Sequence, residues 1–92
     1  KRNNLMRQAV TILNDEGMHA RPAALFVKAA TNFKSDINII FGEKIANAKS
    51  IMSLMTLGLV KDTEIIISAV GIDEQTAIDS LTDLVKNKFN LH

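Results

Sequence analysis

The sequence predicts an α+β fold, an open-faced β-sandwich in which a four-stranded antiparallel sheet carries three helices on one face. Two observations lead to this prediction. The apolar residues alternate with a period of two in four segments and follow the period of a helix in three, in the order β-α-β-β-α-β-α. Each segment has one apolar side, so two layers are enough to bury them all. The 92 residues leave room for one domain, which we predict over 1–92 with an ordered core of about 5–88.

The strands are predicted from alternation and from the turns that separate them. The first covers 6–13, and a hairpin follows at 37–41 and 44–46. Gly42 and Glu43 form its two-residue turn, and a glycine in the first central place indicates type II′. The last strand covers 64–70. Because its second side is also fairly apolar, we place this strand in the centre of the sheet.

The first two helices are predicted from their period and from the residues at their ends. The first runs from Ala20 to about Asn32, with Pro22 in the first turn, where the missing N–H costs nothing. The second is a short helix over 51–57, with Ser50 as its N-cap and Gly58 as the left-handed residue after its end.

The third helix and the chain ends follow from the same signals. The helix begins at Asp73, a predicted N-cap, and has Lys86 and Lys88 in its final turn, where they complement the helix dipole. Residues 1–4 and 87–92 are predicted to fray, and we assign no function to His92.

Composition excludes several classes of function. Eleven basic and ten acidic residues give a net charge of +1, and all four aromatic residues are Phe, which does not suit direct binding to nucleic acid. No apolar run approaches the roughly 18 residues of a membrane span, and no secretory signal is visible in this sequence. With no Cys and no metal-ligand spacing, we expect neither disulfides nor a metal or other cofactor.

The chemistry is predicted at His19, which follows a polar loop and directly precedes the first helix. The start of a helix exposes unpaired N–H groups and positive potential, so an anion is stabilised there. Arg21, in the first turn, adds charge-assisted hydrogen bonds to phosphate oxygens. The same potential disfavours a protonated imidazole, which leaves a ring nitrogen free as the nucleophile toward a phosphoryl group. The alternative is a His that only caps the helix, and the pattern alone leaves both open.

The chain contains the strings GMHARPAA at 17–24 and NAKSIM at 47–52, with Leu57 and Gly58 after the second. These strings resemble the active-site and regulatory-serine segments of the HPr family, the histidine-containing phosphocarriers of the bacterial phosphoenolpyruvate:sugar phosphotransferase system. The resemblance covers 6–86. The sequence departs from the family pattern at 61–62, where glycine is common, and at Ile72, where an acidic residue is frequent.

The resemblance implies that His19 accepts a phosphoryl group on Nδ1 from phosphorylated enzyme I and passes it to an enzyme IIA, with Arg21 steadying the group in both transfers. Such a protein is a carrier and not an independent enzyme, and we expect it to be a cytoplasmic monomer. Ala20 and Pro22 form the helix start at the site. Leu54 is assigned to the core, whereas partner docking is expected on the surface formed by Ala20, Ala24, Ile51, Met52 and Met55.

Ser50 is predicted to have two compatible roles. As an N-cap it stabilises the short helix by about 1 kcal/mol. By resemblance it is also a target of an ATP-dependent HPr kinase/phosphorylase, and a catabolite-control transcription regulator would then bind the serine-phosphorylated form. A phosphate there would add up to about two negative charges beside Met52 and weaken docking to enzyme I.

Three alternatives remain open on the sequence alone. A nitrogen-branch or purely regulatory member of the same family shares the histidine motif, although the segment around Ser50 favours the sugar branch. A small binding module would use His19 only as a helix cap. A small hydrolase is disfavoured because the chain has no glycine-rich phosphate loop and no second catalytic group near His19.

Overall fold

The computed structural model describes residues 6–91, and its elements follow the predicted order. The strands are β1 (Met6–Thr11), β2 (Asp36–Phe41), β3 (Lys44–Asn47) and β4 (Glu64–Val70). The helices are α1 (Ala20–Ala30), α2 (Ile51–Met55) and α3 (Glu74–Lys86), and a 3-10 turn, Lys88–Asn90, follows α3. The predicted fold class is confirmed. Within 6–91, none of the helices has the length and apolar character needed to cross a membrane.

The sheet has the strand order β1-β4-β2-β3, and every neighbouring pair is antiparallel. β4 is central, as predicted, and pairs with β1 from Ala69 opposite Met6 to Glu64 opposite Thr11. On its other side β4 pairs with β2, which forms the hairpin with β3. β1 and β3 are therefore the edges of the sheet.

The core lies between one face of this sheet and the helices. Ile65, Ile67 and Ala69 of β4 point into it and are at most 1% exposed. Phe26 of α1 and Leu81 of α3 meet them with no exposed surface. Because side chains alternate along a strand, the intervening residues lie on the opposite face, which the helices leave open.

Two turn predictions are confirmed by the backbone. Phe41 pairs with Lys44, so Gly42 and Glu43 are the two residues of the hairpin turn. Gly42 has a φ of +61° while Glu43 keeps a negative φ, as a type II′ turn requires. Gly58 is left-handed after α2, with a φ of +64°.

The ends of several elements differ from the prediction. β1 stops at Thr11 because the pairing with the chain before β4 then leaves its register: the Ile12 N–H still donates to the Thr63 carbonyl at 2.9 Å, but the Ile12 carbonyl accepts the Asp62 N–H at 2.7 Å. α1 stops at Ala30, two residues early. α2 stops at Met55, and the Leu57 N–H donates to a carbonyl only three residues back, at 3.2 Å. This tighter turn ends α2 before its predicted second turn is complete.

The predicted fraying of the carboxyl-terminal residues is wrong for 87–91. α3 ends at Lys86, so Lys88 does not lie in its final turn. Lys88, Phe89 and Asn90 all adopt left-handed φ angles of 55° to 60° and reverse the chain. Phe89 is thereby 1% exposed, and burial of its ring offsets the cost of the left-handed backbone. Residues 1–4 and His92 lie outside the described residues.

Asp73 precedes α3 as predicted, but its side chain does not cap the helix. The carboxylate instead accepts hydrogen bonds from the Ser35 hydroxyl at 2.5 Å and from the backbone N–H groups of Lys34 and Ser35 at 2.8 and 3.0 Å. These donors, the Ser35 hydroxyl foremost, lower the pKa of Asp73 below its ordinary value. The Glu74 carboxylate accepts the Gly71 N–H at 3.0 Å. Asp73 thus joins the start of α3 to the loop between α1 and β2.

Candidate functional site

The loop before α1 is held by hydrogen bonds to its main chain. The Gly17 N–H donates to the Asn14 carbonyl at 3.1 Å, and the Asn14 Nδ2 donates back to the Gly17 carbonyl at 2.8 Å. The next N–H, that of Met18, donates to the Leu59 carbonyl at 3.1 Å. Asn14 and Met18 are 4% and 3% exposed. The chain therefore enters α1 along a fixed path although the loop lies at the surface.

Gly17 allows this close packing. Its φ is +65°, which residues with a Cβ rarely adopt, and a Cβ built there would lie 2.4 Å from the Leu59 carbonyl oxygen. The loop before α1 and the loop after α2 are consequently in direct backbone contact. This contact sets the position from which α1 begins.

His19 occupies the N-cap position of α1 with an extended backbone, φ −74° and ψ −175°. Its carbonyl accepts the Ala23 N–H at 2.9 Å, but its imidazole makes no capping hydrogen bond. The residue is exposed, as are Ala20 and Arg21 after it. The geometry does not support the alternative in which His19 serves only as a cap, because the side chain does no capping.

The first turn of α1 is an open helix end. The Ala20 and Arg21 N–H groups have no carbonyl behind them in the helix, and Pro22 has no N–H to leave unpaired. The first turn contains no acidic residue. Positive potential at this end is therefore not neutralised by the helix's own side chains, which is the condition for stabilising an incoming phosphoryl group.

Arg21 lies beside a shallow depression that sequence reasoning did not predict. The depression is lined by Asn14, Asp15, Glu16, Arg21, Lys88 and Leu91. Asp15 is held by an exposed ion pair to Lys61 at 3.2 Å, whereas Arg21 forms no ion pair with any residue of 6–91. The guanidinium is therefore available to an anion at the start of α1.

α2 packs against α1 and carries the predicted serine and apolar residues. The Ser50 hydroxyl accepts the Ser53 N–H at 3.2 Å, so the predicted N-cap is confirmed. Leu54 is fully buried, as assigned, whereas Ile51, Met52 and Met55 are 39%, 80% and 44% exposed. These three side chains form an apolar patch. Elsewhere, no group of residues that could hold a metal ion is found within 6–91.

Comparison with known proteins identifies the family. The sequence profile described as "PTS HPr component phosphorylation site" matches residues 6–87, nearly the whole chain. The chain belongs to the HPr family of phosphocarrier proteins. The strings at 17–24 and 47–52 both lie within the matched residues.

Individual HPr proteins agree with this assignment. The phosphocarrier protein HPr of Buchnera aphidicola subsp. Schizaphis graminum is 55% identical over 69 residues, covering 75% of this chain and 81% of that protein. The HPr of Buchnera aphidicola subsp. Baizongia pistaciae is 51% identical over 77 residues, 84% of this chain and 91% of its own. The crystal structure of HPr-C-His from Thermoanaerobacter tengcongensis superposes with a TM-score of 0.91 at 44% identity, covering 95% of this chain and 98% of that chain.

The supporting residues of the HPr site were the part that sequence reasoning missed. The sequence predicts no supporting role for Asn14 or Leu59, and Gly17 and Met18 enter the prediction only as members of the string at 17–24. Asparagine three residues before glycine is a turn signal that could have indicated the Asn14 contact. The Met18 to Leu59 bond joins loops 41 residues apart, and no local pattern marks it.

Proposed function

We propose that this HPr protein carries a phosphoryl group on His19 from phosphorylated enzyme I to an enzyme IIA of the phosphotransferase system. The observation that carries the proposal is the exposed imidazole at an open helix end, with no capping bond and with Arg21 two residues away. One copy, a single domain, is the working unit in the cytoplasm, and the protein itself turns over no substrate.

The transfer needs little from the carrier. A ring nitrogen of His19, by resemblance Nδ1, attacks the phosphorus; a P–N bond forms as the bond between phosphorus and the donor group of phosphorylated enzyme I breaks. Arg21 and the free N–H groups of the first turn stabilise the oxygens in both transfers. One guanidinium and one helix end hold the group moderately, so it can leave again.

Docking is proposed on the surface that combines Ala20 and Ala24 of α1 with the apolar patch of α2. Met52 is 80% exposed, and methionine side chains adapt to more than one apolar partner. A carrier has to fit at least two proteins with the same surface. The exposed patch on α2, which packs directly against α1, supports this use.

The test is labelling with phosphoenolpyruvate and enzyme I. Wild-type protein is expected to gain one acid-labile phosphate, and His19→Ala to gain none while keeping its circular dichroism spectrum. Arg21→Ala should be labelled about tenfold or more slowly, since a charge-assisted hydrogen bond contributes roughly 1.5–3 kcal/mol. Asn32→Ala, at the other end of α1, is the control. An unlabelled wild type, or a His19→Ala variant labelled at the normal rate, would overturn the proposal.

We further propose that Ser50 is phosphorylated by an ATP-dependent HPr kinase/phosphorylase, after which a catabolite-control transcription regulator binds the product. Ser50 is half-buried and its hydroxyl caps α2, directly before the exposed patch. A phosphate there would stay at the helix start but place negative charge next to an apolar docking surface. Docking of enzyme I would weaken without unfolding of α2.

The serine proposal has its own test with ATP and the kinase. Acid-stable label is expected to persist in His19→Ala and in Ser53→Ala and to disappear in Ser50→Ala. Label that remains in Ser50→Ala would contradict the assignment of this serine. Phosphoryl acceptance only from a nitrogen-branch enzyme I would instead support the nitrogen-branch alternative.

A further inference from the structure

The face of the sheet away from the helices carries an apolar row that crosses all four strands. The register places Ala9 of β1 opposite Ile66 of β4, Ile66 opposite Ile40 of β2, and Ile40 opposite Ile45 of β3. All four alternate with core residues and so point to the open face. Ile45 is 67% exposed, Ala9 is exposed, and Ile40 and Ile66 are partly exposed. We call these four residues the open-face row.

Polar residues border the row on both sides. On one side the register aligns Arg7, Ser68, Asn38 and Asn47, and on the other it aligns Thr11 with Glu64. Arg7 and Glu64 thus lie on opposite sides of the row, too far apart along the strands to meet within one molecule. Neither forms an ion pair with any residue of 6–91. Asp36, the remaining charge that the four strands place on this face, lies one step beyond Arg7.

We propose that two copies of this protein pack face to face through the open-face row, related by a two-fold axis that runs along it. After this rotation the open-face rows of the two copies contact each other. The Arg7 side of one sheet then lies over the Glu64 side of the other. Arg7 then faces Thr11 of the second copy, with Glu64 of the second copy one strand away, about 4.8 Å to the side. An arginine spans that offset across sheets packed about 10 Å apart. Each pair of copies therefore forms two Arg7 to Glu64 ion pairs.

The positions of Arg7 and Glu64 also indicate that the molecule bound to this face is a second copy of the chain. In an isologous contact the same surface of both copies meets itself after a two-fold rotation. Here that rotation brings opposite charges together, which favours such a contact. The row is one side chain wide, so it buries far less than the about 1,200–2,000 Å² of stable complexes. We therefore expect a weak pair that forms at protein concentrations of about 0.1 mM and above.

The pair leaves the carrier site free. α1 and α2 lie on the helix face of the sheet, opposite to the open-face row, so His19 stays exposed in both copies. The pairing is consequently independent of the proposed phosphoryl transfer. A variant that abolishes pairing should still accept a phosphoryl group from enzyme I at the wild-type rate.

The experiment is sedimentation velocity of the full chain from about 10 µM to 2 mM, with NMR shifts recorded over the same range. Wild type is expected to sediment faster with increasing concentration, with shift changes confined to the open face. Ile45→Thr, which keeps a β-branched side chain at an exposed edge, should weaken association at least fivefold. Met52→Thr, which also removes exposed apolar surface but from the helix face, is the matched control and should leave association unchanged.

A charge exchange tests the axis itself. Arg7→Glu and Glu64→Arg should each weaken association, and the double variant should restore it to within about twofold of wild type. The proposal is overturned by monomeric sedimentation at 2 mM, by equal effects of Ile45→Thr and Met52→Thr, or by a double variant no better than the single ones. A dimer that persists on dilution would indicate exchange of β1 between copies and would also overturn it.

Discussion

The two long helices of this HPr protein begin in opposite ways. At α3, Asp73 is fully engaged: its carboxylate accepts three hydrogen bonds from the loop after α1, and Glu74 adds an acidic side chain to the first turn. At α1, His19 makes no side-chain bond, the first turn has no acidic residue, and the end is open. Of these two helix starts, only that of α1 combines a first turn without acidic residues and an exposed imidazole without a capping hydrogen bond, which is what the proposed phosphoryl acceptor requires.

The difference lies in what fixes each helix start. The start of α3 is held by the Asp73 and Glu74 side chains, whereas the start of α1 is held through the main chain of Gly17 and Met18, which bonds to the Asn14 carbonyl, the Asn14 side-chain amide and the Leu59 carbonyl. Backbone bonds position His19 without using its imidazole. The backbone around His19 is therefore fixed while the imidazole stays free for the proposed phosphoryl transfer.

The largest expected effect is on the backbone support of α1. Gly17→Ala would place a Cβ 2.4 Å from the Leu59 carbonyl oxygen at a φ of +65°, so we expect a loss of about 2–5 kcal/mol in unfolding free energy. Urea unfolding measures it. Gly42→Ala is the matched control, since its φ is +61° but no atom lies within 4 Å of the added Cβ. It should lose only about 1–2 kcal/mol, and equal losses would show that the loop contact is unimportant.

Asp73→Asn tests the side-chain support of α3. The substitution removes the negative charge that accepts three hydrogen bonds. We therefore expect a loss of unfolding free energy that is smaller than that of Gly17→Ala but clearly measurable by urea unfolding. Because the pKa of Asp73 is lowered in the folded state, its contribution is complete above the ordinary pKa of 3.8 and disappears as the pH falls through the folded value. The stability gap between wild type and Asp73→Asn should therefore narrow below pH 3.8.

The control for Asp73 is Asp83→Asn, an exposed carboxylate on the same helix without a side-chain hydrogen bond in the described structure. It should leave stability at pH 7 nearly unchanged. A gap between wild type and Asp73→Asn that stays constant down to pH 2 would contradict the role given to the ionised carboxylate.

α2 lies between these extremes, since it has one side-chain cap and no acidic residue in its first turn. Ser50→Ala removes the bond to the Ser53 N–H and should cost about 1 kcal/mol in urea unfolding. Ser53→Ala makes the same change inside the helix and should be neutral or slightly stabilising, because alanine is the better helix former. Equal losses for both variants would rule out the capping role.

The smallest expected effect on stability comes from closing the open end of α1. Ala20→Glu places a carboxylate in the first turn and should raise stability by about 0.3–1 kcal/mol. The same charge repels a phosphoryl group, so labelling by enzyme I should slow about fivefold or more. Ala20→Gln, similar in size but neutral, separates charge from bulk. If both variants slow labelling equally, the effect is steric and the electrostatic argument fails.

Local patterns were sufficient to predict the architecture and to place His19 and Arg21 at the exposed start of α1, where their proposed role in phosphoryl transfer stays a prediction. Alternation placed β4 in the centre, and the turn at Gly42 and the cap at Ser50 follow from chemistry within four residues. Asp73 has the local signature of an N-cap, yet its carboxylate accepts hydrogen bonds from three donors 38 and 39 residues earlier in the chain and not from the first turn of α3. Such long-range competition is not encoded in a local window.

The carboxyl-terminal turn shows a second limit. Its residues, Lys88, Phe89 and Asn90, have no helix period and no glycine for a left-handed backbone, so a frayed end was the natural expectation. The Phe89 ring packs into the core, and its burial offsets the conformational free energy that three left-handed residues cost. Burial of this kind depends on the tertiary arrangement of the other core residues, so the local sequence does not predict it.

The position of β1 at the sheet edge has a consequence for biosynthesis. Within the described sheet its only neighbour is β4, so Met6 has to wait for Ala69, 63 residues later (69 − 6), before it can pair. At about 5–20 residues per second, a ribosome needs roughly 3–13 seconds to add those residues. Of the four described strands, β1 is synthesised first but pairs only after β4 has been made, so its edge stays unpaired during that interval.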